Sequence, residues 1–241
     1  MTNKPLILLK GQASDHCAGE IIDAHSHDTH QIVHALNGVM RVSTNDGTWI
    51  VPPERGLWVP ARTRHEIHCI GRLGLRTVYL HGDHQSFPSV VQVTVVSALM
   101  REIMVRVAEG AEPHQLPHLT ALLVDEIAAL TFESLHIPRA KDERIARLGE
   151  ALLEDPADPT SLSGWASRLN LSPRTLIRRI KNETGMSFRE LRRQTRILAA
   201  LERLSLGESV TNVAMDVGYD SPSAFTQAFR AVTGKTPSRY I

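Results

Sequence analysis

Long apolar runs are missing from this chain of 241 residues. No stretch of 18 apolar residues occurs, so the sequence offers no membrane-spanning helix. The opening MTNKPLILLK holds an apolar run of only four residues, too short for a secretion signal. Cysteine is scarce as well. Cys17 and Cys69 are the only two, too few for a disulfide framework and in keeping with a reducing cytoplasm. Both read as small buried hydrophobes. Aromatic residues make up just 5% of the chain, so each of the three tryptophans has to be placed. A large net charge is also absent, the formal balance being +1.

That near-zero balance conceals a division. Residues 161–241 carry 13 Lys/Arg against 6 Asp/Glu, whereas residues 1–160 carry 14 against 20 and hold all twelve histidines. A basic tail on an acidic, histidine-rich body assigns nucleic acid to one part and something else to the other.

The tail reads as two helix-turn-helix units. The first has a helix over 162–170, a turn at Leu171-Ser172-Pro173, and a second helix over 173–184. Ser172 is the N-cap, Pro173 the first helical residue and Gly185 the left-handed stop. The second repeats this, with a helix over 210–218, Ser221 as cap, Pro222 at the first position and Gly234 as stop. The two Ser-Pro starts lie 49 residues apart, a diverged internal repeat. A connector over 187–206 joins the units, with Ser187 and Glu190 as a capping box and Gly207 as its end. Twenty helical residues span about 30 Å, close to the ~34 Å between successive major grooves on one face of B-DNA.

Several of these segments carry a family pattern: Leu171-Ser172-Pro173-Arg174-Thr175-Leu176, Glu183-Thr184-Gly185-Met186-Ser187-Phe188, Val217-Gly218-Tyr219-Asp220-Ser221-Pro222, and Gly234-Lys235-Thr236-Pro237-Ser238-Arg239-Tyr240. Over about 80 residues the tail resembles the DNA-binding domain of the AraC/XylS family of bacterial transcription regulators. By position in that motif the resemblance implies groove contacts from Arg174, Thr175, Ile177 and Arg178, and from Ser223, Ala224, Thr226 and Gln227. Arg174 and Arg178 share a helix face, and arginine suits guanine O6 and N7. Lys181, Arg192, Arg193, Lys235 and Arg239 read as phosphate contacts or solvated charges, with Lys181 counted among the DNA-binding residues. Trp165 reads as core of the first unit.

Residues 1–90 read as β: strands over 31–36, 39–44, 48–51, 57–59, 66–70 and 75–81, with hairpin turns at Asn37-Gly38 and Asn45-Asp46-Gly47. Short strands with close turns suit a barrel or sandwich. His25, His27, Gln31 and Gly38, then Pro60 and His65, fall at spacings that resemble the paired motifs of the cupin barrel. The resemblance implies that His25, His27, Gln31 and His65 face one cavity as candidate metal ligands, although Gln31 stands where metal-binding cupins have Glu. Imidazoles and an amide hold Zn, Ni or Cu better than a hard cation. The competing reading is a metal-free effector pocket. Trp49 and Trp58 are either pocket walls beside His27 and His65 or plain core. His34 lies on the other strand face from Gln31 and reads as a surface or interface residue. Asp28 reads as part of a solvated loop.

Residues 91–138 change period to amphipathic helices over 95–109 and 119–133, whose apolar stripes need a partner: the barrel itself or a second subunit. The family precedent is dimerisation there. Residues 134–141 read as a linker, and a further helix over 142–154 leads into the DNA-binding part.

The expected fold is therefore two-domain α+β. A cupin-like effector barrel spans 1–90, a helical dimerisation segment and linker 91–138, and an all-α double helix-turn-helix domain 139–241. The expected function is a cytoplasmic, ligand-responsive, sequence-specific regulator, not an enzyme. Its partners would be double-stranded promoter DNA, a small-molecule effector, a second copy of itself and RNA polymerase, and it would control a neighbouring efflux or metabolic gene. The rival is a metal-dependent cupin enzyme fused to a DNA-binding tail. An alkyl-transfer regulator would need a metal-thiolate cysteine, which two scattered cysteines do not supply.

Overall fold

The computed structural model describes residues 7–239; the first six residues of the opening run and Tyr240 of the closing motif lie outside them. The strands are β1 (Leu8–His16), β2 (Ile21–His25), β3 (His30–Ala35), β4 (Val39–Thr44), β5 (Gly47–Val51), β6 (Arg55–Val59), β7 (His65–Ile70), β8 (Leu73–His81), β9 (Gln92–Val95), β10 (Phe132–Glu133) and β11 (His136–Pro138). The helices are α1 (Ala98–Gly110), α2 (Leu116–Ala128), α3 (Glu143–Glu154), α4 (Leu162–Arg168), α5 (Pro173–Thr184), α6 (Phe188–Ser205), α7 (Val210–Asp216) and α8 (Pro222–Thr233). The chain forms two compact units, one of residues 1–44 and 51–134, the other of residues 45–50 and 135–241.

The first unit is the expected β-rich domain. One sheet runs in the order β1-β8-β3-β6-β9-β10, and β4, β7 and β2 belong to a second, with β7 in the middle. The pairings are antiparallel. Gln31 lies opposite Tyr79 and Ile32 opposite Val78. Successive residues of a strand point to opposite faces, so Gln31 and Tyr79 share one face and Ile32 and Val78 the other. β3 is buried on both faces because α1 and α2 cover its outer one. There Leu9, Ile32, Trp58, Val78 and Leu80 meet Met100, Ile103, Met104 and Val107 of α1 and Leu123 and Ile127 of α2.

This contact decides the fate of the amphipathic stripes. Of the two partners open to them, the domain's own sheet takes α1 and much of α2. Leu99 and Leu122 stay exposed. The same coverage corrects His34. It points away from Gln31 as expected, but it is buried rather than on the surface. Its Nδ1–H donates to the Arg55 carbonyl at 3.0 Å. Arg55, also buried, holds Glu133 of β10 through two parallel N–H···O bonds of 2.8 Å, a fork geometry that fixes both side chains. Cys69 is buried and its thiol is pushed up to about 11 by that burial. Cys17 is exposed, so only one of the two cysteines is a core residue.

The second unit is helical apart from one ribbon, β5 paired with β11. The segment read as a linker is thus partly a strand, with His136 opposite Trp49 and Pro138 opposite Gly47. The division between units falls after Ser134 and takes residues 45–50 to the second unit. The helix ends follow the cap chemistry. Ser172 accepts from Thr175 N–H and Gly185 adopts φ 72°; Ser221 accepts from Ala224 N–H and Gly234 adopts φ 74°. The capping box of Ser187 and Glu190 is complete.

Two outcomes are expected. A Cβ at Gly11 would lie 2.1 Å from the Val107 carbonyl oxygen, a backbone atom of α1. Gly11→Ala should lower the stability of the first unit by ~1–3 kcal/mol and raise binding of a hydrophobic dye; an unchanged denaturation midpoint would place α1 elsewhere. Burial, and then the positive charge of Arg101, hold the His34 imidazole below its ordinary value. The unfolded chain therefore takes up this proton first as pH falls. The neutral ring's contribution to stability is complete above about pH 6.5 and is lost as the pH drops below that towards the folded value. Thermal melting from pH 8 to pH 5 checks it, the decline being shallower in His34→Gln.

Candidate functional site

Three side chains chosen by motif spacing, His25, His27 and His65, come to one place in the first unit, and Gln31 lies opposite Tyr79, whose ring meets His27. His25 ends β2, His27 lies in the loop after it, Gln31 is on β3 and His65 opens β7. β2 and β7 put His25 opposite His65. The ring centroids are 4.4 Å apart for His25 and His65, 4.8 Å for His25 and His27, and 5.7 Å for His27 and His65. One nitrogen from each ring lies within 4.8 Å of those of the other two.

The hydrogen bonds set the tautomers. His25 Nδ1–H donates to the Asp23 carbonyl at 2.6 Å, and His65 Nδ1–H to the Thr63 carbonyl at 2.9 Å. Each ring thereby keeps the lone pair on Nε2. His27 Nε2, His65 Nε2 and Gln31 Oε1 are buried without a hydrogen-bond partner among the described residues. Burial, and after it the charge of His25, hold His27 below the ordinary imidazole value; burial leads at His65 too. His27 and His65 are therefore neutral at pH 7. Unpartnered buried acceptors are costly, and neutral imidazoles steadied by carbonyls are the donor set a borderline transition metal takes.

Beside this cluster opens a cavity of about 630 Å³, with Lys10, Gln12, His27, Asp28, Tyr79 and His81 in its wall. The Tyr79 ring stands edge-on to His27 at 5.0 Å, and its hydroxyl donates to Gln12 Oε1 at 3.3 Å. Lys10, Gln12 and Tyr79 were not foreseen. Tyr79 was within reach of the sequence, since a register that sets it opposite Gln31 puts both on one face. Lys10 and Gln12 were not, because LLKGQASDH does not alternate clearly.

The two tryptophans do not line this cavity. Trp58 sits in the outer-face core under α1, donates from Nε1 to the Pro88 carbonyl at 2.9 Å, and stacks on His30 at 5.3 Å. Trp49 is buried in the second unit and stacks on His136 at 5.7 Å. Period-2 alternation separates two strand faces without saying which one looks inward, and Trp58 falls on the face that α1 covers. Asp28 lies exposed beside Arg62.

In the second unit α5 turns an exposed row outward. Arg174, Ile177, Arg178 and Lys181 are exposed, while Leu176 and Ile180 are buried beneath them. An exposed isoleucine between two arginines suits a surface that closes on a thymine methyl. Lys181 donates to the Gly185 carbonyl at 2.6 Å. Arg179 is tied to Asp142, the N-cap of α3, and so holds the fold rather than the groove. On α8, Ser223, Ala224 and Gln227 are exposed, and Thr226 Oγ1 donates to the Pro222 carbonyl at 2.8 Å. Trp165 is buried as expected.

The chain matches two family models: an AraC-like ligand binding domain over residues 14–124 and a helix-turn-helix domain over residues 165–241. It is 31% identical over 222 residues to the HTH-type transcriptional regulator NimR of Escherichia coli K12, covering 90% of this chain and 81% of that protein. The chain belongs to the AraC family of transcriptional regulators. The HTH-type transcriptional regulator RipA of Corynebacterium glutamicum is 38% identical over 119 residues, 49% of this chain and 36% of that one. Among solved structures, ToxT from Vibrio cholerae aligns over 97% of this chain and 98% of its own at a TM-score of 0.42 and 11% identity. As an AraC-family regulator the protein pairs a ligand-binding domain with a DNA-binding one. No helix among the described residues is long and apolar enough to cross a membrane.

Within the first recognition helix, Arg178→Ala should cost ~1–3 kcal/mol of specific binding and relax preference at one base pair. Mobility-shift titrations on specific and scrambled duplexes check this. An equal loss on both would move Arg178 out of the groove.

Proposed function

We propose that this AraC-family regulator senses a small polar molecule in the cavity beside His27, with a transition metal held by His25, His27, His65 and the Gln31 amide oxygen. The observation that supports the reading is the convergence of His25, His27 and His65 next to an open cavity, with His27 Nε2, His65 Nε2 and Gln31 Oε1 buried and unpartnered among the described residues. A bound Zn, Ni or Cu ion would supply positive charge and an open coordination position to an anionic or soft-donor effector. This chain's residues do the rest. Lys10 offers a cation at the wall, Tyr79 a hydroxyl, and the neutral imidazoles keep their lone pairs. The ligand is bound and not turned over. The carboxylate in the wall, Asp28, is exposed and beside Arg62, which supports binding over general-base chemistry.

Response to the effector would change how the second unit engages promoter DNA in the cytoplasm, with RNA polymerase as the downstream partner. Exposed Leu99 and Leu122 on α1 and α2 support a homodimer through the helical layer, now as a narrower surface than the full stripes would give.

His27→Ala with His65→Ala should remove stoichiometric metal from protein purified without an affinity tag and abolish the effector response, with affinity for promoter DNA unchanged. Elemental analysis and binding titrations across an effector library check it. Absence of metal from the wild type with an intact response favours the metal-free pocket. Turnover of a library compound would favour the enzyme reading.

A further inference from the structure

The two recognition helices are unequal. α5 exposes Arg174, Arg178 and Lys181, whereas α8 exposes Ser223, Ala224 and Gln227 and carries no cation before Arg230. The missing charge lies beside α8, on the connector. A cleft of about 490 Å³ runs between α6 and α8. Its α6 wall is Arg189, Arg192, Arg193 and Arg196, and the residues in its α8 wall include Ala224, Gln227 and three alanines in all, Ala228 and Ala231 being the others. The arginines fall at the 0, 3, 4 and 7 spacing of one helix face. Ala224, Ala228 and Ala231 likewise share a face, so a row of methyl groups lies opposite a row of guanidinium groups and leaves the space between them open.

The four arginines divide into two pairs. Arg196 is fixed: Nε donates to the Pro156 carbonyl at 2.9 Å, Nη1 to the Gly218 carbonyl at 2.6 Å, and the guanidinium lies over the Tyr219 ring at 5.4 Å. Arg192 donates to the Thr160 carbonyl and packs on the Phe188 ring at 4.6 Å, while its Nε is buried without a partner. Burial, then the charge of Arg196, lowers the Arg192 pKa, and the Asp158 carboxylate opposes them. Arg189 and Arg193 stand exposed at the mouth and donate no hydrogen bond to another described residue. Among the described residues no carboxylate lines the cleft. Guanidinium groups in a slot walled by small side chains suit a tetrahedral oxyanion. The cleft borders Ala224 and Gln227, residues assigned to the face that meets the duplex.

We propose that this cleft seats a backbone phosphate of the bound duplex, contacted by Arg189 and Arg193 and positioned by Arg192 and Arg196. The second helix-turn-helix unit is then anchored electrostatically by the connector helix, and α8 contributes little charge of its own. This rests on the reading of the second unit as the DNA-binding one.

The test uses the full chain and Arg189→Gln, Arg193→Gln and the double variant. Both residues are exposed, and unchanged melting curves establish folding. For each arginine that neutralises a phosphate, the slope of log K against log salt should become shallower by about 1. Specific and scrambled duplexes should weaken by the same factor. In duplexes with single methylphosphonate linkages, one neutral linkage in the half-site of the second unit should make Arg193→Gln silent. The proposal is overturned if the slope stays the same, if loss is confined to one base pair, or if no linkage couples to Arg193. It is also overturned if inorganic phosphate raises the melting temperature of wild type but not of the double variant while both keep one salt slope, which would make the cleft a free-anion site. Arg178→Ala runs alongside: if it too leaves duplex binding untouched, the DNA-binding reading of the second unit has failed rather than the cleft.

Discussion

The DNA-binding unit depends on the fixed length of α6. Its 18 residues contain neither glycine nor proline, and its start is closed by a complete capping box. An unbroken ladder of i→i−4 hydrogen bonds does not stretch at low cost, so the helix is a rod of about 27 Å. Nine of its residues are buried, and α3, α5, α7, α8 and β11 all pack on it. The two recognition helices are therefore held at a set separation and phase by one element, which also carries the arginines beside α8. The geometry that spaces the two helices and the arginine row beside α8 share a single piece of secondary structure.

The sensing unit rests on the opposite kind of constraint, a withheld interaction. His65 spends Nδ1 on a backbone carbonyl and keeps a buried Nε2 unpaired, and His27 Nε2 and Gln31 Oε1 are likewise buried without a partner among the described residues. A folded chain seldom leaves several buried acceptors idle in one spot without a ligand to satisfy them. Neutrality matters as much as position, because a protonated imidazole would have no lone pair to offer. Burial supplies that neutrality at His27 and His65.

How much was legible followed the locality of the signals. In the second unit the stops and starts are chemical: a serine oxygen for an orphan N–H, a proline where no N–H is needed, a glycine where φ turns positive. Those rules act over three or four residues, so the bounds of α5 and α8 could be read directly. The histidine cluster was legible because its spacing belongs to a motif. What escaped was set by distant residues. β1 and β2 lack strict alternation, and β9 has only four residues. Trp58 and His34 face the helical layer, a fact decided by where α1 lies and not by their neighbours in sequence. Trp49 and the 136–138 strand were opaque for the same reason: their partners are each other, more than eighty residues apart.

That ribbon has a consequence for how such a regulator can be taken apart. Residues 45–50 fold with the second unit although they interrupt the chain of the first, and β5 approaches β11 so closely that a Cβ on Gly47 would lie 2.4 Å from the Ile137 carbonyl oxygen. The two bodies are not consecutive stretches of gene. A recombination event or an engineered fusion that cuts once, at the end of the sensory half, strands six residues of the DNA-binding half on the wrong side of the junction. Exchange of sensors between regulators of this build would succeed only where donor and recipient share that ribbon, so inheritance of the halves is coupled by a single strand.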